Sequence, residues 1–388
     1  MNGQAFWKAL LRFERVIARI TAGSNDASAA DHNSMIRAEI ADPAMHPPCR
    51  NGAKTLTALF MAQAENQVPS ATVSSAAVRA GAIYFAIAIT GLTLWWLART
   101  HAALLPLWAP WEFSWFEFLS AWLITYWYIR GVASMTPVER PSLIRRISFL
   151  TGVLVIYAVL ETHFEYLAEH QFFFNRIQHV IMHHLGPLLI ALSWPGAEIK
   201  RGMPMPLRRL VEHRIPTGVV HVLQNPVLAA FLFVGLFFFW LIPSIHFRAM
   251  IDPRLFALMN WTMVIDGVLF WCLVLDPRPS PPARISFGGR AALAVAVMFP
   301  QILGGAIITF NPRDLYSFYD LCGRIYPNLG AHYDQTVGGL ITWIPPAMMS
   351  VIALLLVLNA LRRVEEGNSA DEEHDGSVPF FDASQWTG

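Results

Sequence analysis

Charged side chains are scarce in this sequence. Only 14% of the 388 residues are Asp, Glu, Lys or Arg, whereas 55% are hydrophobic, and the mean hydropathy is +0.42. A soluble domain averages about 25% charged residues. The composition therefore predicts a polytopic membrane protein. The formal net charge is only +1, which argues against a nucleic acid as partner.

Cysteine is scarce as well. The three cysteines, Cys49, Cys272 and Cys322, are too few and too scattered for a disulfide framework. No CxxC and no CxxCH motif is present, which excludes a covalently attached c-type haem. A secretory signal peptide is not expected either, because the apolar stretch at Leu56–Ala62 is short and a polar segment follows it.

What the sequence does contain is a series of apolar runs, each long enough or nearly long enough to span a membrane. A hydrocarbon core of about 30 Å takes about 20 helical residues. The pattern predicts an all-α, polytopic membrane helical bundle of seven to eight transmembrane helices. The runs are Ala82–Ala98, Phe113–Ile129, Ile147–Leu160, Phe172–Trp194, Val227–Ile245, Leu255–Leu275, Ala291–Phe310 and Val337–Leu358.

Composition divides the chain into three parts. Residues 1–78 are rich in Ala, Ser, Asn, Asp and Pro and are expected to form a partly disordered N-terminal extension. Residues 79–362 form the transmembrane bundle, and residues 363–388 are expected to be a disordered acidic tail. Alternate loops carry most of the Lys and Arg residues, which predicts that both termini are cytoplasmic.

The most unusual stretch is Glu161–Pro195, which carries five histidines. If Phe172–Trp194 is one regular helix, His179 and His183 lie on one face, four residues apart. In that helix His184 points about a quarter-turn away, where it either joins the site or holds a neighbouring helix. Imidazole is costly in a hydrocarbon layer unless it is paired or bound. The spacing therefore predicts a metal site or a charged relay, because imidazole binds zinc, copper, iron and nickel.

Two more histidines, His163 and His170, lie seven residues apart and are candidates for the approach to that site or for further metal ligands. His246 falls near an outer loop and is interpreted as interfacial, with a supporting role at most.

Asp266 lies in the middle of the sixth apolar run, and an acid at that depth is a candidate functional residue. Met259 and Met263 share its helical face. Thioethers suit Cu(I), but methionine also fills irregular gaps in cores, so both interpretations stay open. Asp334 and Gln335 open the eighth run, where Asp334 could complement the helix N-terminus.

Several of these pieces together resemble the polytopic CtaG family, whose members are assembly factors for caa-type cytochrome c oxidase. They cover about residues 80–360. The matching pieces are Arg176–Ile177–Gln178–His179 through His183–His184–Leu185–Gly186–Pro187, Asn225–Pro226–Val227, Gly267–Val268–Leu269–Phe270–Trp271, and Asp334–Gln335 with Gly338–Gly339–Leu340 and Trp343.

The resemblance implies a non-enzymatic protein of the bacterial inner membrane that helps to form the copper centres of a haem–copper oxidase. The implied partners are cytochrome c oxidase subunits and a periplasmic copper carrier. In this hypothesis copper is held in the outer leaflet by His179 and His183, together with His163 or His170. One departure is that many members carry histidines early in the sixth run, where this chain has Phe256, Met259 and Asn260.

Three other functions stay open from the sequence. A membrane b-type cytochrome would need imidazoles facing each other from two helices at matched depth. A copper permease would need a polar or Met-lined path through the whole membrane, of which Asp266 and Met263 are only a fragment. A scaffold that binds no metal would use its histidines as interhelical hydrogen bonds.

Overall fold

The computed structural model describes residues 75–326 and 328–375. Nearly all of the predicted N-terminal extension, residues 1–74, and the last part of the predicted tail, residues 376–388, lie outside the described residues. Within the described ranges the regular structure is helical, with no β-strand and a single isolated bridge between Pro110 and Thr162.

Fifteen α-helices follow one another among the described residues. In chain order they are α1 (Ser75–Thr100), α2 (Trp115–Ala133), α3 (Leu143–Glu161), α4 (Phe164–His170), α5 (Phe172–Val180), α6 (Gly186–Ser193), α7 (Gly196–Gly202), α8 (Met205–Val211), α9 (Arg214–Leu223), α10 (Pro226–Leu241), α11 (Pro243–Ile251), α12 (Pro253–Val274), α13 (Phe287–Thr309), α14 (Phe318–Cys322) and α15 (Ala331–Asp375). A π-helical turn, Ile181–Leu185, joins α5 to α6.

The chain divides into two compact units, residues 1–90 and residues 91–388. The described part of the first unit is the beginning of α1, and most of its side chains are exposed. The second unit holds the end of α1 and every later helix, and it contains all of the residues singled out as site candidates.

Five helices of the described chain are long and apolar enough to cross a membrane. Two further combinations of helices meet the same criterion together but are bent at a short break. The α5–α6 segment and α7 are bent by 77°, and α9 and α10 are bent by 74°. Counting each bent pair as one span gives up to seven spans. The predicted all-α polytopic membrane bundle is confirmed, with seven as the upper number. The second apolar run forms α2, which is less apolar because it includes Glu117, Arg130 and two tyrosines.

Proline and short polar side chains set the ends of several spans. Asn225 accepts hydrogen bonds from Val227 N and Leu228 N and so caps α10, which begins at Pro226. The predicted fifth run was wrong in one respect, because its helix does not continue to residue 245. It ends at Leu241 and a new helix begins at Pro243, whose ring cannot continue an α-helix hydrogen-bond ladder.

The largest buried cluster lies where α10, α12, α13 and α15 meet the α5–α6 segment. Its aromatic members are Phe233, Phe270, Trp271 and Phe287, and small residues of α13 and α15 fill the spaces between them. The Phe233 and Phe270 rings stack with their centroids 3.9 Å apart. This cluster fixes the position of the histidine segment against α10 and α12.

The last helix extends further than the sequence suggested. Residues 363–375 were assigned to a disordered tail, yet α15 continues to Asp375. An Arg362–Glu366 pair at 2.8 Å, spaced i to i+4, supports this helical extension.

A close backbone approach joins α2 to α7. A methyl group added at Gly131 would overlap the carbonyl group of Glu198, and one added at Gly202 would overlap the carbonyl group of Trp127. Glycine at both positions therefore allows the two helices to touch through their backbones.

Gly131→Ala is expected to lower the midpoint of thermal unfolding of the detergent-purified protein. The added methyl group has no space, and overpacking of this kind costs about 1–3 kcal/mol. Gly218→Ala is the matched control, because Gly218 is also helical but nothing lies within 4 Å of the added methyl group. Alanine there should leave the midpoint unchanged or raise it slightly. Equal midpoints for the two variants would contradict the backbone contact.

Candidate functional site

The sequence predicted one regular helix for the histidine segment, and this prediction was wrong. It changes from α-helix to a π-helical turn at Ile181–Leu185 and returns to α-helix at Gly186. Pro187 gives the physical reason, because it has no N–H for the carbonyl group of His183 and its ring would clash with that carbonyl. Such turns occur frequently at functional sites.

The π-turn brings three imidazoles together. The ring centroids of His179 and His183 lie 5.6 Å apart, and those of His183 and His184 lie 4.7 Å apart. All three side chains are buried, with His179 the most exposed at 3%. His184 therefore belongs to the same group as the predicted pair. We call these three residues the histidine cluster.

Aromatic side chains of α10 cover the cluster. Phe233 stacks on the His183 ring at 4.1 Å and meets the His184 ring edge-on at 5.1 Å. Phe237, one turn further along α10, lies 5.8 Å from the His179 ring. The imidazoles are thus enclosed in an apolar environment, where each ring nitrogen without a partner is costly.

Asp266 reaches the cluster from α12. Its Oδ2 lies 3.2 Å from Nε2 of His183, and the pair is buried. With Asp266 ionised, its carboxylate accepts a hydrogen bond from Nε2–H of His183, and the lone pair of that ring then lies on Nδ1. Gly267 makes this approach feasible, because a methyl group there would overlap the His183 carbonyl group.

Four ring nitrogens of the cluster have no hydrogen-bond partner among the described residues. They are Nε2 of His179, Nδ1 of His183, and both nitrogens of His184. His184 makes no hydrogen bond to a neighbouring helix among the described residues, but its ring packs edge-on against Phe233 of α10 and Trp271 of α12. Buried imidazole nitrogens without partners, with one ring held by a carboxylate, suit a metal ion that accepts few ligands.

The wider ligand set expected from the sequence is not assembled. Within residues 75–326 and 328–375, no group of three or more His, Cys, Asp or Glu side chains is arranged to hold a metal ion. His163 Nδ1 lies 3.3 Å from the carbonyl oxygen of Ala109, and His170 Nδ1 lies 2.8 Å from that of Tyr166. Their rings pack on Trp111 and Tyr166.

The position of His246 in the sequence suggested an interfacial residue. In the structure its side chain is fully buried. The break at Pro243 puts it on α11, where Nδ1 lies 3.2 Å from the carbonyl oxygen of Trp240 and Nε2 lies 3.1 Å from the hydroxyl of Tyr319. Both ring nitrogens are engaged, so a ligand role would require breaking one of these bonds.

The two methionines lie in a hydrophobic cluster. Met259 and Met263 pack with Trp240, Ala249 and Phe256, and both are buried. Of the two interpretations left open by the sequence, the packing of these side chains favours gap filling.

Asp334 and Gln335 organise the segment between α13 and α15, which contains α14. We call its described residues, 311–326 and 328–330, the α13–α15 connection. Asp334 accepts hydrogen bonds from Phe172 N at 3.1 Å and Phe173 N at 2.8 Å, and pairs with Arg324. It therefore complements the N-terminus of α5, a helix distant in sequence, rather than that of its own helix.

Gln335 joins the α13–α15 connection to the end of α13. Its Oε1 accepts a hydrogen bond from Leu315 N, and its Nε2 donates to the carbonyl oxygens of Ile308, Asn311 and Arg313. Asp334 and Gln335 thus hold the backbone between α13 and α15 in place, and this structure gives them a positioning role.

Sequence reasoning missed one residue that the structure makes prominent. Arg176 is a fully charged side chain inside the apolar run, and it is 1% exposed. A charge within a span is itself a signal of function, and that signal could have identified Arg176 from the sequence.

Gln335→Met is expected to lower the midpoint of thermal unfolding, since it leaves one N–H and three carbonyl oxygens without their partner. Stranded buried groups cost about 1–3 kcal/mol. The matched control is Gln301→Met, because Gln301 is equally buried but its two amide atoms have no partner among the described residues. That change should be neutral or stabilising. A larger loss for Gln301 than for Gln335 would contradict the positioning role.

The family model described as cytochrome c oxidase caa3 assembly factor matches residues 126–363, more than half of the chain. The matched region runs from α2 into α15 and includes the histidine cluster, Asp266, Asp334 and Gln335. No curated protein and no solved structure matches the chain. The chain therefore belongs to the family of cytochrome c oxidase caa3 assembly factors.

Proposed function

We propose that the chain assists the formation of the oxidase copper centres by holding Cu(I) at the histidine cluster. Membership in the assembly factor family implies interaction with cytochrome c oxidase and indicates a non-catalytic role. The single observation that supports copper handling is the set of buried imidazoles whose nitrogens lack partners in the described chain. Copper is the cargo in this proposal, received and passed on.

His179 and His183 are the proposed ligands. Their rings are neighbours, and the Asp266 carboxylate orients His183 so that Nδ1 carries the lone pair. A carboxylate that is hydrogen-bonded to a metal-binding imidazole raises the basicity of that imidazole and fixes its orientation. The carboxylate also offsets the charge of a monovalent ion in an apolar pocket. A site with so few ligands favours release by ligand exchange, as delivery requires.

The membrane location and the orientation of the protein are proposed from the family and the sequence together. We place the protein in the bacterial inner membrane with both termini cytoplasmic, and we expect the histidine cluster in the outer half of the bilayer. Copper would then come from the periplasm, from a soluble carrier, and leave through a lateral contact with an oxidase subunit.

The His179→Ala, His183→Ala double variant is expected to lose copper that the wild type retains. Metal content of the detergent-purified proteins is measured by elemental analysis after Cu(I) loading, with a visible spectrum of each sample. His246→Ala is the matched control, because it removes a buried imidazole whose nitrogens are already engaged. It should lower thermal stability yet keep copper. Haem bands, or equal copper in wild type and double variant, would reject the proposal.

Asp266→Asn is expected to weaken Cu(I) binding without unfolding the protein. The amide keeps the size of the side chain but supplies no negative charge, and loss of such a partner typically costs about 10–100-fold in metal affinity. Affinity is measured by competition with a coloured Cu(I) chelator. Asp252→Asn is the control, since Asp252 only caps α12 through Arg254 N. An unchanged affinity for Asp266→Asn would remove this residue from the proposed site.

A further inference from the structure

Arg176 is a buried cation whose charge no acidic group of the described chain balances. It lies on α5, three residues before His179, and none of the ion pairs formed in the described ranges includes it. Its Nη2 donates to Oδ1 of Asn175, whereas Nε and Nη1 have no partner there. Its charged face lies over the Phe172 ring, 5.1 Å from the centroid.

The side chains around Arg176 do not supply the missing charge. The hydroxyl of Tyr316 donates to the carbonyl oxygen of Leu241, and that of Tyr319 contacts His246. A guanidinium group cannot escape its charge by losing a proton in a protein. Neither the aromatic face nor a neutral amide replaces an anion, and a buried charge left unpaired is strongly destabilising.

The buried carboxylates of Asp334 and Asp266 are both engaged elsewhere. Asp334 is held by Arg324 and by the N–H groups of Phe172 and Phe173. Asp266 is paired with His183. The two nitrogens Nε and Nη1 of Arg176 are thus buried without a partner, and no carboxylate of the described chain pairs with them.

We propose that Arg176 is the core of a buried binding site for one small monovalent anion of the halide class, adjacent to His179. The ligand must be small because the surroundings are closely packed: Phe172, Tyr316 and Tyr319 are at most 2% exposed, and the Phe172 ring stacks on Tyr316 at 4.0 Å. Gly338 also brings the backbone of α15 against Phe172 and the stem of Arg176.

The anion has a consequence for the copper site, and this step rests on the proposed function. A Cu(I) ion at His179 and His183 adds a second positive charge beside Arg176, while Asp266 supplies only one negative charge. One bound anion makes the whole group neutral. Binding of the anion and of copper should therefore strengthen each other by the same factor.

The first test uses the full-length protein in detergent without copper. The midpoint of thermal unfolding is measured in sodium chloride and in sodium gluconate at equal ionic strength, since gluconate is too large for the site. The midpoint should rise with the logarithm of the chloride concentration once it exceeds the dissociation constant, and gluconate should give no such rise. Identical midpoints in both salts at every concentration would overturn the proposal.

Two variants assign the effect. Arg176→Met keeps the length of the side chain without its charge and should abolish the chloride dependence. Arg324→Gln removes another buried arginine, one that has carboxylate partners, and should lower the midpoint while keeping the chloride dependence. Chloride dependence that survives in Arg176→Met would place the anion elsewhere and overturn the assignment.

A second measurement separates this proposal from copper handling. Cu(I) affinity is compared in the two salts for wild type and Arg176→Met, so that the binding of chloride to free copper affects both proteins alike. Relative to the variant, the wild type should gain affinity in chloride. No copper binding at all, together with a chloride-dependent midpoint, would reject the proposed function while leaving the anion site supported.

Discussion

The carboxylate of Asp334 is the contact on which the site depends. It accepts hydrogen bonds from the first N–H groups of α5 and from the guanidinium group of Arg324. It therefore joins α15, the α13–α15 connection and the start of the histidine segment at one point. Orphan N–H groups at a buried helix start need such an acceptor. Because α5 begins at this carboxylate, the depth and rotation of every residue that follows on the segment are set relative to α15.

Two chemically different kinds of polar residue occur below this contact. The histidines are neutral donors and acceptors, and they tolerate an apolar pocket once a carboxylate such as Asp266 orients them. Arg176 is a permanent charge and tolerates the same pocket only with an anion. These residues lie close together on one segment of the chain. A change of charge at one of them therefore alters the affinity of its neighbours for an ion.

The sequence was sufficient for the bundle, for the family and for the prominence of His179, His183 and Asp266, because polar residues in apolar runs stand out without any structure. It was not sufficient for the π-turn, which arises from the clash of Pro187 with the His183 carbonyl group, a local event that a regular periodicity hides. It also could not pair Asp334 with Phe172, since their contact spans 162 positions of the chain. The burial of His246 was not predictable either. It follows from the direction that the chain takes after the break at Pro243, and tertiary packing decides that direction.

The length of α15 makes the position of its C-terminal end sensitive to small changes in helix direction. The helix has 45 residues, with Pro345 and Pro346 inside it. About 30 residues follow these prolines, a rod of roughly 45 Å at the standard rise. Proline is where helices bend, and a change of about 10° at that point displaces the far end by about 8 Å. A small change of angle at Pro345 and Pro346 therefore produces a displacement of several ångströms at Asp375.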